Sequence, residues 1–200
     1  MAGRTDDEFG GEPARNSIDP DRVLDACREL IMAVGPARVT MANVARQAKV
    51  SRATIYRRWS NIDELVADVV GREWMTMATL VVPDPESNLR VQLVDTVVGI
   101  SRATRENAMW KRIIEMDPSF LVNFLLKRRG ANAEFQLQLM EFHLRRGMLE
   151  TTIRKGEPTV MAEAILAVAI SFVLGVPVAA SDPDALDGEL SRLINRYLMP

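Results

Sequence analysis

TMANVARQAKVSRATIYRRWSNIDE, Thr40 to Glu64, reads as two short helices joined by a tight turn, with a further helix beginning at its end. Three side chains suited to capping set that reading. Thr40 is an N-cap with Val39 and Val44 as its hydrophobic staple, and Ser51 is the next, with Val50 and Ile55. Asn61 is the third, followed by Asp63 and Glu64, whose charges suit the positive end of a helix. Upstream, Asp19–Pro20 opens an earlier helix, with Ile18 placed to staple onto Val23. Its apolar stripe runs Val23, Leu24, Cys27, Leu30, Ile31, Val34 and stops at Gly35. Four helix starts so close together describe three small helices in a bundle and a fourth leaving it.

Charge is distributed unevenly. Between Pro36 and Ile62 lie Arg38, Arg46, Lys49, Arg52, Arg57 and Arg58 and no acidic residue, although the chain as a whole carries formal charge -2. Cations gathered on one small element fit a surface that meets a polyanion. In a helix-turn-helix, residues 40–59 here, the first helix braces and the second enters the DNA major groove. Thr40–Ala48 would brace, Ala48–Val50 would turn and Ser51–Arg58 would read. Ala45, Val50 and Ile55 face inward, which leaves Arg52, Ala53, Tyr56 and Arg57 outward. Arg52, at the start of the reading helix, can grip guanine O6 and N7, and Ala53 can touch a thymine methyl. Thr40, Thr54, Tyr56 and Arg58 carry donors suited to phosphate oxygens. With Ser51 and Arg57 they complete the expected DNA-binding set, and Trp59 is expected in the core.

VTMANVARQAKVSRATIYRRWSNIDELV resembles the DNA-binding segment of the TetR family of bacterial transcriptional regulators. The resemblance rests on Thr40, Val44–Ala45, Val50–Ser51, Thr54–Ile55–Tyr56, Trp59 and Asn61 to Leu65, and covers residues 17–77. Lys49 stands where the family's turn has glycine, and Ile62 where it often has lysine. The resemblance implies a homodimer whose paired reading helices enter successive major grooves of a near-palindromic operator on double-stranded DNA. It implies a repressor released by a small molecule, apolar or not, held in the C-terminal helical domain, with a four-helix dimer seam.

Beyond Pro85 the pattern stays helical, and no convincing period-2 strand occurs. The expected fold is all-α: a tail at 1–16 without structure, a helix-turn-helix domain at 17–77, and a larger helical domain at 78–200 for effector binding and dimerisation. Helices are expected over Ser87–Arg105, Asn107–Met116, from Asp117–Pro118 to Lys127–Arg129 and Gly130, over Ala131 to Arg146, from Pro158, and from Asp182–Pro183. Val160–Ala180 is long and apolar enough to cross a bilayer. Glu163 within it and Gly175–Val176–Pro177 near its end favour a helix buried inside the protein or between subunits, and no membrane partner is expected. Its companions in a seam would be the stripe Leu186–Tyr197 or the helix around Phe135–Leu149.

Trp110, Met116, Phe120, Phe124 and Met140 either line a pocket for an apolar ligand or fill an ordinary core. His143, the one histidine, is either structural or a polar contact to an effector. The candidate effector set is Trp110, Phe120, Phe124 and His143. The one cysteine, Cys27, sits on a buried stripe and is expected to be filler. One histidine, one cysteine and scattered carboxylates form no acid–base pair, nucleophile with its base, or metal cluster, so no enzyme, cofactor or metal is expected. The N-terminus has no apolar signal core, which points to the cytoplasm. The competing reading is a helical interaction protein whose basic element binds an acidic protein partner.

Overall fold

The computed structural model describes residues 19–120, 131–179 and 182–200, and among these every regular element is helical. α1 spans Pro20–Val34, α2 Met41–Gln47, α3 Arg52–Tyr56 and α4 Ile62–Leu80, with a 3-10 turn at Pro36–Arg38. α5 covers Leu89–Glu106, α6 Ala108–Met116, α7 Ala131–Leu149, α8 Pro158–Ala179 and α9 Pro183–Leu198. The expected tail, Ile18, Phe124 and the Lys127–Arg129 run lie outside the described residues.

The caps form as the side chains dictate. Asp19 accepts from the Asp21 amide, Thr40 from Asn43, Ser51 from Thr54 and Asn61 from Glu64. Glu64 reaches back to accept from the Ser60 amide at 2.7 Å, so both ends of that first turn are satisfied. Asn107 and Asp182 cap α6 and α9 in the same way.

Lys49 occupies the left-handed region at φ 55, the conformation for which glycine is suited. The strain of about 1 kcal/mol is tolerated because the turn is closed by the Val50 amide donating to the Ala45 carbonyl at 2.9 Å. Two helices run on past their glycines. α7 runs past Arg146 to Leu149. Gly147 does not end it: a Cβ there would meet Ile153 Cδ1 at 2.4 Å, so glycine lets the following loop cross close to the helix. α8 runs through Gly175 and Pro177 to Ala179, because a proline near a helix end forfeits one ladder bond without stopping it.

Two apolar clusters hold the chain. The first joins α1 to α4 around Cys27, Ile31, Val44, Ile55 and Leu65, and takes in Met109, Trp110 and Ile113 of α6, from well beyond residue 77. The second joins α5, α7, α8 and α9 around Leu144, Ile165, Leu190 and Ile194. Cys27 is wholly buried and desolvation pushes its thiol up to about 12, the state of a packing residue rather than a reactive one.

Candidate nucleic-acid interface and ligand cavity

The basic element forms one exposed surface. Arg38, Arg46, Lys49, Arg52, Arg57 and Arg58 are all exposed, while Val44, Ala45, Ala48 and Ile55 are buried beneath them. The inward–outward division of the reading helix follows the spacing of its apolar residues: Ile55 is inaccessible, and Ser51, Arg52, Ala53 and Tyr56 face solvent. Val50 is half-buried against the same core. Thr54 is half-buried, with its Oγ1 2.8 Å from Ser51 Oγ, so these two hydroxyls meet each other before any phosphate. Thr40 caps α2 through its oxygen and keeps its O–H for a further acceptor.

Trp59 is buried as expected, and its Nε1–H donates to Asp68 Oδ2 at 2.7 Å. The Arg58 guanidinium lies 5.2 Å from the Trp59 ring centroid. A cation held over an indole is partly pre-oriented, which suits a phosphate contact. Sequence reasoning missed Asp68, since an acid seven residues into an amphipathic helix carries no distinguishing signal.

The seam between α6 and the DNA-binding bundle is polar and specific. Glu73 of α4 pairs with Arg28 of α1 and accepts from Asn107 Nδ2, the cap of α6, at 2.9 Å. Glu73 is mostly buried, so this pair is screened less than a surface one. Arg112 of α6 donates from Nε to the Met32 carbonyl at 3.1 Å, near the end of α1. α6 is thereby fastened to the DNA-binding bundle by hydrogen bonds from its N-cap and from its middle, and by the buried Met109 and Ile113. The sequence gives no sign of Glu73, because its partners are 45 and 34 residues away.

A cavity of about 790 Å³ opens between α4, α5, α6, α7 and α8. Val70, Trp74, Met75, Leu93, Ile100, Leu137, Leu166 and Ile170 are among its apolar lining, alongside the expected Trp110, Met140 and His143. Phe120 and Met116 do not line it. Phe120 packs against the first cluster, and Met116 lies against Gly35, because the chain turns back onto α1 at the end of α6. The cavity size suits a drug-sized molecule. Its walls include α4, which begins immediately after the reading helix, and Trp110, which belongs to the core of the DNA-binding bundle.

α8 stands apart. Its window Pro158–Gly175 has a mean hydropathy of 1.9, yet only 28% of it is buried within the chain. Val160, Ala164, Ala167, Val168, Ser171 and Gly175 are exposed at helical spacing. On the neighbouring α9, Leu190 and Ile194 are buried while Leu193 and Tyr197 face out. The expected stripe Leu186–Tyr197 is therefore split between an inner and an outer face.

Residues 23–69 match the family described as bacterial regulatory proteins, tetR family. An uncharacterized HTH-type transcriptional regulator of Mycobacterium bovis is 25% identical over 179 residues, covering 88% of this chain and 93% of that one. The transcriptional repressor QsdR of R. erythropolis, from the TetR family, superposes with a TM-score of 0.65 at 17% identity, over 90% of this chain and 93% of its own. The TetR family repressor AlkX of a Dietzia strain, implicated in biodegradation of n-alkanes, gives 0.63 at 21%, over 92% and 97%. The two structures share this fold.

Proposed function

From a chain that belongs to the TetR family of bacterial transcriptional regulators, through the helix-turn-helix domain of residues 23–69, we propose a homodimeric repressor released from its operator by a small molecule. The observation that carries this is the shared wall: Trp110 and α4 border the cavity and also belong to the bundle that presents the cations. A ligand that moves α6 or α4 must then move Asn107 and Glu73, and through Glu73 the Arg28 side chain of α1. The reading heads of two protomers would change spacing, and the fit to successive major grooves would be lost.

The candidate contacts are those on the exposed face. Arg52 and Ala53 meet bases. Thr40, Ser51, Thr54, Tyr56, Arg57 and Arg58 position the head on phosphates. Two-fold symmetry calls for a near-palindromic operator. The protein acts in the cytoplasm, where its duplex is, and no catalytic role is assigned to it.

The dimer forms through the outer faces of α8 and α9. An apolar helix left mostly uncovered loses roughly 25 cal/mol for every Å² of apolar surface that stays wet, and a second copy removes that surface from water. Ala164, Ala167 and Gly175 allow close approach of helices, and Leu193 and Tyr197 supply larger contacts. The double variant Ala164→Arg, Leu193→Arg is expected to sediment as a folded monomer and to bind duplex about 100-fold or more weakly, because the second head is no longer tethered to the first. A wild-type chain that sediments as a monomer, or a monomeric variant with undiminished affinity, contradicts this assembly.

A further inference from the structure

We infer that the effector of this cavity is an uncharged lipophilic molecule bearing a hydrogen-bond-accepting oxygen, a ketone, ester or ether, and that Trp110 is the residue that receives that oxygen. This rests on the reading of the cavity as the effector site and names the chemistry the site accepts. Trp110 is 7% exposed, and its Nε1–H has no hydrogen-bond partner in the chain. An indole nitrogen only donates. A donor kept from water and left unsatisfied carries a free-energy penalty, and a buried Trp N–H ordinarily has a partner. Trp110 borders the cavity, so a guest's oxygen can supply the acceptor that the protein does not.

Neighbouring polar groups of the lining have already given their hydrogens. The hydroxyls of Thr96, Ser101 and Thr104 donate to the carbonyls of Gln92, Val97 and Ile100 at 2.7, 2.8 and 2.7 Å. Gln92 Nε2 donates to the carbonyls of Pro85 and Ser87. His143 Nδ1 lies 2.8 Å from the Leu139 carbonyl, which only accepts, so in the neutral ring Nε2 has no hydrogen to offer. Of these groups, Trp110 alone has a hydrogen still to give. The lining matches an ion of neither sign. Among its described residues there is no lysine or arginine to receive an anion. Its two carboxylates are engaged: Asp68 accepts from the Trp59 indole at 2.7 Å, and Glu163 has an interaction of its own within the chain. A charged guest would leave water with no partner prepared for it, which costs far more than the same transfer of an uncharged molecule.

Trp110 also connects such a guest to DNA binding. Its side chain belongs to the core of the DNA-binding bundle, and it sits on α6, whose Asn107 cap donates to Glu73 of α4. An oxygen bound to Trp110 therefore holds the guest against the helix that is pinned to that bundle.

The test uses the full chain with N-phenyl-1-naphthylamine, an uncharged dye without oxygen, as reporter, displaced by 2-decanone, decanoate or decyltrimethylammonium below any micelle concentration. The ketone is expected to displace the dye at a concentration at least about tenfold below that of either ion, since each ion enters with its charge unmatched. In Trp110→Phe, which keeps a ring and removes the N–H, the affinity for the ketone relative to the dye is expected to fall about two- to tenfold, the worth of one hydrogen bond. In the unaltered chain the ketone is expected to shift the Trp110 indole N–H resonance, assigned from its contacts within α6, more than those of Trp59 and Trp74. If the dye binds and either ion competes as well as the ketone, the inference is overturned and the cavity reading survives. The same holds if the ketone displaces the dye and leaves the Trp110 resonance unmoved. If the dye does not bind at all, the cavity reading falls and the inference falls with it. The guest comparison and the resonance on the unaltered chain decide the matter even if the variant folds poorly.

Discussion

Replacing Asp187 with alanine lowers the stability of the chain by about 3–5 kcal/mol, the cost of leaving a buried charge without its partner. Asp187, on α9, is 2% exposed and accepts from Arg105 Nη2 at 2.5 Å and from Arg102 Nε at 2.8 Å, both on α5. The Arg105 side chain is 7% exposed, and its Nη1 already lacks a partner. Removing the carboxylate strands that guanidinium between two helices. Arg102 is different: its side chain is 47% exposed, so Arg102→Ala costs no more than about 1 kcal/mol. Denaturant unfolding of the two variants separates them. The loss in Asp187→Ala also loosens α9 against α5, so the proposed dimer is expected to dissociate at a lower denaturant concentration than that of the unaltered chain. Equal and small losses from both variants would show that the buried pair contributes little.

Arg52→Ala and Arg58→Ala are expected to damage DNA binding in different ways. Arg52 opens the reading helix, exposed, where side chains reach base edges. Its loss removes about 1–3 kcal/mol of discrimination at a contacted guanine, roughly ten- to a hundredfold, and leaves binding to unrelated duplex nearly intact. Arg58 lies past the end of α3, against the Trp59 ring. Its loss weakens binding to every sequence alike and reduces the salt slope by about 1. The check is selection of an operator from random duplexes, then affinities of both variants for that operator, for single-base changes of it, and for unrelated DNA. Loss of discrimination in neither variant, or in both equally, overturns the assignment of roles.

The helix-turn-helix was legible because each of its decisions is local. A cap, a staple pair and an inward residue lie within about six positions of one another, so Thr40, Ser51 and Asn61 could be assigned from their neighbours alone. The charge asymmetry of Pro36–Ile62 is likewise a property of contiguous sequence. The cavity was legible only in part. Trp110, Met140 and His143 line it, but Phe120 packs elsewhere, because helical spacing says which residues share a face and not which helix that face meets. Glu163 was noticed as a break in an apolar run, and its place in the cavity wall depends on how α8 packs beside α7. Glu73 and Asp187 were missed outright. Their partners are distant in sequence, and a lone acid on an amphipathic helix ordinarily sits in water. α8 carried the clearest tertiary message, since a helix so apolar demands cover on every side, though not which partner supplies it.

The most direct test of the account is the salt dependence of duplex binding by the full-length protein, followed alongside its sedimentation. Two heads, each neutralising ~4–6 phosphates, predict that log K falls against log salt with a slope of about -7 to -11, carried by a dimer. A protein that remains monomeric and shows no salt-dependent affinity for duplex at low ionic strength would contradict it.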